Sequence, residues 1–347
     1  MLAPLHSICS ALFTLCLGEA EEAREALLGR EEEELPPPPL TLAVLREADD
    51  QSTGAILHAF KDDGSFRAFS TSEMEGIMQR DQEDDDKLAA GILMAVQKGV
   101  VEPIPPVEPL TSINVLGKSA DAVASEIMRA LGDAPSSGCV LVLQGLSGTG
   151  KGTTVSKLQS LLPRAVSWSN GNVFRSITLL ALAYCEQQGV KFSQSALTPQ
   201  VLAKLMGCLS FGKHNGEFDI RINGFGYDML VSEVANTTLK EGKIGKNIPT
   251  VAKMTQGEVI KFAAGAAEAM RQDGMNVLME GRAQTLNYVR TPHRFELMLS
   301  EPLIIGMRRA AQRMMGGVLT KLKGGEAMPS DSELKQMLAD ELAALAA

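Results

Sequence analysis

Residues 139–143, Cys-Val-Leu-Val-Leu, form an unbroken apolar run, and Gly-Leu-Ser-Gly-Thr-Gly-Lys-Gly-Thr follows at 145–153. A short apolar run closed by glycine suits a strand buried on both faces, as in a parallel sheet. Val155, Leu158, Leu161 and Leu162 then recur at helical spacing. Strand, glycine-rich loop and helix is the order in which backbone N–H groups can wrap a phosphate while the helix N-terminus adds partial positive charge. Gly145, Gly148, Gly150 and Gly152 stand where a side chain would block that approach or where the chain needs positive φ. Lys151 is expected to neutralise β/γ-phosphates, and Leu146, Ser147, Thr149, Thr153 and Thr154 complete the expected cradle.

The rest of the composition narrows the class. A chain of 347 residues has room for about two domains. Its 45% hydrophobic and 22% charged content is that of a globular protein, not a disordered or membrane one. Residues 1–138 hold 25 acidic against 10 basic side chains, whereas 139–347 hold 17 against 23. The mildly basic second part suits a polyanionic nucleotide, or equally a solvated mixed surface; no basic stripe points to nucleic acid. Cys9, Cys16, Cys139, Cys185 and Cys208 are widely spaced without a paired motif, as expected of free thiols in a reducing, cytoplasmic setting. The apolar stretch Leu5–Leu17 is too short for a membrane span but leaves an anchor helix or an organellar targeting segment open.

Organisation is read as three stretches. Residues 1–40 are acidic and end in Pro36–Pro39, a spacer that could dock a protein partner. Residues 41–110 read as a small α+β unit: 55–60 and 65–69 flank Lys61-Asp-Asp-Gly64 as a β-hairpin containing His58. An acidic helix with Ile77, Leu88, Ile92 and Met94 comes next, and Pro103–Pro109 is a linker. Over 111–347, helices at 119–132, 153–162, 172–187, 301–315 and 331–345 alternate with strands at 139–143, 276–279 and 295–299, which predicts a doubly wound parallel sheet.

Two further constellations follow the glycine-rich loop. In Ser169-Asn-Gly-Asn-Val-Phe-Arg-Ser176, Asn170, Gly171 and Arg175 open a helix, and the arginine fork can hold a phosphate with paired hydrogen bonds. In Val277-Leu-Met-Glu-Gly-Arg282, a strand ends in Glu280, Gly281 and Arg282. A carboxylate there can hold magnesium through water, with Thr153 as second ligand, and the arginine can lie across phosphates. Arg308, Arg309 and Arg313 lie on a later helix, within reach of a transferring phosphoryl group if that helix faces the loop.

In collinear order, residues 139–347 resemble the cytidylate (CMP/dCMP) kinases. GLSGTGKGT is similar to that family's GPSGAGKGT, SNGNVFR to DSGAMYR, HNGEFDIRINGFGYDMLVSEVAN to its NMP-binding insert (about 190–262), MEGR to DGRD, and GMRRAAQR to its lid-side arginines. The resemblance implies a P-loop kinase core that binds ATP with Mg²⁺ at Gly145–Thr154. It implies a nucleoside monophosphate held by Asn170, Gly171, Arg175, Gly281 and Arg282, and Arg308 and Arg309 at the transition state. Ser169 and Asn170 replace the family's aspartate and hydroxyl residue, Ala283 replaces its last DGRD aspartate, and Glu258 falls where that family reads cytosine with arginine. No ERDxxDxxR lid segment follows the last helix before Ala347. Two functions stay open: phosphoryl transfer from ATP to a nucleoside monophosphate, and a catalytically degenerate kinase fold serving as a nucleotide-binding or structural subunit.

Overall fold

The computed structural model describes residues 38–322 and 329–346. The Leu5–Leu17 stretch, Cys9, Cys16 and the acidic residues that precede Pro36 lie outside the described residues. The described residues divide into two compact units: Gly64–Ala310 (with Ala346) is the larger, and the described residues before Gly64 join those between 311 and 345 in the smaller.

The described elements of the smaller unit are helices. Helix α1 (Leu42–Glu47) starts where the Thr41 hydroxyl accepts from the Val44 amide. Helix α2 (Asp50–Phe60) starts with a reciprocal cap: Asp49 accepts from the Ser52 amide (2.9 Å) and the Ser52 hydroxyl accepts from the Asp49 amide (2.7 Å). The expected hairpin over 55–69 is therefore not formed. Ser52, Ala55, Ile56 and Phe60 bury one helical face, a periodicity that strand alternation cannot satisfy. His58 is exposed on α2.

The larger unit opens with α3 (Gly64–Gln97), a helix of 34 residues. Then come β1 (Thr111–Asn114), α4 (Ala120–Leu131), α5 (Ala134–Ser137), β2 (Val140–Gly145), α6 (Lys151–Leu161) and β3 (Ala165–Trp168). Next are α7 (Asn170–Gln187), α8 (Pro199–Gly207), strands β4 (Leu209–His214), β5 (Glu217–Gly224) and β6 (Tyr227–Leu230), and α9 (Val231–Val234). The series closes with α10 (Gly242–Gln272), β7 (Asn276–Gly281), α11 (Ala283–Leu286), β8 (His293–Met298) and α12 (Leu303–Leu322), whose residues beyond Ala310 belong to the smaller unit, as does most of α13 (Asp331–Ala346). On α13 Leu334, Leu338 and Leu342 are buried, and its Glu341 pairs with Lys321 at 2.5 Å.

Five strands form one all-parallel sheet in the order β1-β8-β2-β7-β3. Central β2 is buried on both faces, as its apolar run requires. Leu141 and Leu143 join Val123, Ile127, Val155 and Leu158 of α4 and α6, while Val140 and Val142 join Ala263, Ala267 and Met270 of α10. Helices on both faces of a parallel sheet make this α/β architecture compatible with a doubly wound fold. Asn276 staples the entry to β2 and β7: it accepts from the Cys139 amide (3.1 Å) and donates to the Pro135 (3.0 Å) and Pro163 (2.7 Å) carbonyls.

Residues 209–230 form a separate antiparallel sheet, β4-β5-β6, whose Ile220 and Ile222 pack with Ile177 and Leu180 of α7. Helix α10 bends at Thr255, where φ is −123° and the side-chain hydroxyl donates to the Val251 carbonyl. Beyond α3, Tyr288 donates to the Glu102 carbonyl and Arg290 pairs with Glu108, so the proline-rich connection is tied to the segment between α11 and β8.

Candidate functional site

Three motifs far apart in sequence end side by side because β2, β7 and β3 are adjacent and parallel. The register pairs Leu143 with Glu280, Gln144 with Gly281, and Trp168 with Met279. Hence the glycine-rich loop, the Glu280-Gly-Arg282 turn and Ser169–Arg175 all leave the carboxyl edge of one sheet, where open α/β sheets take their ligands.

The loop is built on short approaches. Gly145 has φ +147°, and a Cβ there would lie 2.5 Å from the Leu297 carbonyl oxygen of β8, so no side chain fits. Gly152, in the first turn of α6, has nothing within 4 Å of a Cβ position. Glycine there costs helix stability without a packing reason, and leaves free space beside the helix N-terminus. Thr149 is buried and its hydroxyl donates to the Leu146 carbonyl (2.8 Å), whereas Thr153 is exposed and Thr154 buried.

Lys151 is not solvent-facing. Its Nζ donates to the Gly145 (2.8 Å) and Leu146 (2.7 Å) carbonyls, folding the side chain back over the loop. Burial pulls its pKa below that of an ordinary lysine, and the charges of Glu280 and Asp81 act in the opposite sense.

Asp81 of α3 is a site residue that sequence reasoning missed. Its carboxylate accepts from the Ser147 amide (2.8 Å) and hydroxyl (2.6 Å), and from Arg282 Nη2 (2.8 Å). Arg282 also reaches Asp85 (3.2 Å). Burial raises the Asp81 pKa, but the bonds from Ser147 and Arg282 outweigh it and hold the carboxyl below the usual aspartate range. Asp81 stands in the run Asp81-Gln-Glu-Asp-Asp-Asp86, which reads as a solvated face. The overlooked signal is spacing: Asp81 is four residues from Ile77 and seven from Leu88, on the apolar side of the helix.

The second motif lies over the carboxyl end of β3. Ser169 caps α7 by accepting from the Gly171 amide, and Asn170 accepts from the Trp168 indole (2.8 Å). Arg175 donates to Asn172 (3.3 Å) and curls over Gly171, where a Cβ would stand 3.0 Å from its Nη1. Between these residues and β7 lies a cavity of about 170 Å³, lined by Trp168, Ser169, Asn170, Met279, Glu280 and Ile260 among others. Glu280 is exposed at its mouth.

Thr153 and Glu280 offer one hydroxyl and one carboxylate. Hard oxygens of this kind fit Mg²⁺ held chiefly by phosphates and water; among the described residues no cluster of three acidic, histidine or cysteine side chains could hold a metal by itself. Arg309 of α12 lies 3.9 Å from Glu73 of α3, and Arg308 is half-buried beside it. Glu258 is not among the residues lining the cavity: its carboxylate is 3.7 Å from Lys98, which follows α3. Among the described residues no helix is long and apolar enough to cross a membrane. Neither a protein-family model nor a curated protein matches this chain.

Proposed function

We propose that this protein is a P-loop kinase that transfers a phosphoryl group from ATP to a nucleoside monophosphate. The observation that carries the reading is the meeting of the glycine-rich loop, Arg282 and the Ser169–Arg175 turn at the carboxyl edge of β2, β7 and β3, beside a base-sized cavity. Phosphoryl transfer asks the protein mainly for positioning and charge neutralisation, which this set of groups supplies. Lys151 and the amides of 145–154 hold the donor's phosphates; Arg175 and Arg282 hold the acceptor's phosphate. Asn170 and Gly171, with Gly281, shape the acceptor pocket, and Arg308 and Arg309 carry transition-state charge. Thr153 and Glu280 would hold Mg²⁺, which would neutralise charge on the donor's phosphates. CMP or dCMP is the leading acceptor because of the resemblance to cytidylate kinases, with β4-β5-β6 and its neighbouring helices in the NMP-binding insert.

A second reading has its own observation. Asp81 occupies Ser147 and Arg282, and Glu73 lies by Arg309, so α3 engages three of the groups that phosphoryl transfer would use. A nucleotide-binding or structural subunit of a larger assembly would tolerate that arrangement.

Replacing Lys151 with alanine tests the donor site that the kinase reading requires. ATP affinity should fall about a hundredfold while the fold is kept, because the hydrogen bonds of Nζ run to the loop's own Gly145 and Leu146 carbonyls. Unchanged ATP affinity would remove the loop from the mechanism.

A further inference from the structure

Helix α3 carries something that phosphoryl transfer does not ask for. Its buried residues are Phe66, Phe69, Ser70, Ile77, Asp81, Gly91 and Ala95, and Asp81 is the one charged side chain in that set. The Asp81 side chain is 9% exposed. A carboxylate desolvated to that degree is tolerated only with donors around it, and it finds three: the Ser147 amide, the Ser147 hydroxyl and the Arg282 guanidinium. Glu73 and Asp85 stand eight residues before and four after, on the same side of the helix. They approach Arg309 and Arg282 respectively.

The helix does not reach these cations by chance of charge. At Gly306 of α12 a Cβ would stand 2.0 Å from the Ser70 carbonyl oxygen, and at Gly257 of α10 one would stand 2.4 Å from the Ala95 side chain. Glycine lets α3 seat closely on both sides of Asp81, so packing delivers the carboxylate to the loop. A carboxylate and a phosphate present the same chemistry to such donors: both are anions whose oxygens accept hydrogen bonds. One Ser147 amide and one arginine fork cannot serve both fully, and two anions on the same donors repel.

We propose that α3 is an autoinhibitory element in which Asp81 takes the place of a ligand's phosphate on Ser147 and Arg282, so that a phosphate-bearing ligand binds only as Asp81 leaves them. The proposal rests on the reading of Arg282 as a phosphate-binding residue. Because seating of Asp81 and binding of the ligand exclude each other, the apparent affinity is lowered by the fraction of molecules in which Asp81 is seated. The opposite role, in which Asp81 orients Arg282 for the ligand, predicts the opposite sign for every variant of Asp81.

The test is calorimetric binding of inorganic phosphate and of CMP to the full chain, comparing wild type with Asp81→Asn, Asp81→Ala and the double variant Asp81→Ala/Arg282→Ala. Both probes should bind Asp81→Ala about tenfold tighter or more, given the strength of charge-assisted bonds. The gain should be smaller in Asp81→Asn and absent in the double variant. Unchanged or weaker binding in the single variants would overturn the proposal. Asp81→Asn keeps the side-chain shape and carries the test should Asp81→Ala fail to fold. A gain for inorganic phosphate, with no turnover of ATP and any nucleoside monophosphate in either protein, would keep the inhibitory contact and sink the kinase reading. Turnover that no Asp81 variant changes, with unchanged binding, would do the reverse.

Discussion

Replacing Asn276 with alanine should cost about 3–4 kcal/mol of stability, because three backbone groups depend on one buried amide. Asn276 is 1% exposed; it accepts from the Cys139 amide and donates to the Pro135 and Pro163 carbonyls. The first two bonds are buried, and each orphaned group there loses roughly 1–3 kcal/mol, whereas the Pro163 carbonyl can turn to water. The expected loss is a large part of the about 5–15 kcal/mol that a domain has to spare. Equilibrium urea unfolding measures it, with Trp168 as the reporter, since it is the only tryptophan and ends the strand paired with β7. Asn276→Asp should be at least as damaging, because it keeps the acceptor but turns a negative charge on two carbonyl oxygens. A loss below about 1 kcal/mol in Asn276→Ala would refute the staple.

Two other outcomes follow from burial and charge. Burial pushes the Cys139 thiol up to about 11, so in the native protein it should resist alkylation at neutral pH and react only on unfolding; rapid labelling located by mass spectrometry would contradict its buried position at the entry to β2. Asp81 is held below the ordinary aspartate value near 3.8, so its seat contributes stability that is complete above that value and is lost as pH falls through the folded-state value. The stability difference between wild type and Asp81→Asn should therefore be constant near neutrality and vanish in acid. A difference independent of pH would argue against an ionised Asp81 at the loop.

What the sequence made legible was the interior of the sheet. Strands β2 and β7 were readable because central strands are buried on both faces and become near-continuous apolar runs, and β8 was readable from Phe295, Leu297 and Met298. The edge strands β1 and β3 escaped: only Ile113 of β1 is buried, and no residue of β3 is fully so. The hairpin reading of 55–69 failed because short apolar clusters around Lys61–Gly64 mimic two strands, and the decisive evidence, the Asp49–Ser52 cap, lies upstream of them. At the site, the glycine-rich loop, Ser169–Arg175 and Glu280–Arg282 were each visible as local motifs, and their adjacency follows from a parallel sheet. Asp81 was hidden because an acidic run is usually solvated, and only its register with Ile77 and Leu88 marks it as buried. Glu258 was expected at a base-reading position, yet it lies against Lys98, because the pairing of distant helices is not encoded in local pattern.

Coupled turnover of ATP·Mg²⁺ with each of CMP, dCMP, UMP and AMP by the full chain tests the account most directly. The account predicts nucleoside-diphosphate formation that Lys151→Ala abolishes. With Ala283 where cytidylate kinases carry aspartate, it also predicts weak discrimination among the four acceptors, since a lost nucleoside contact lets competitors bind almost equally. Absence of turnover with all four, in wild type and in Asp81→Asn alike, would contradict the kinase assignment and leave the nucleotide-binding or structural subunit in its place.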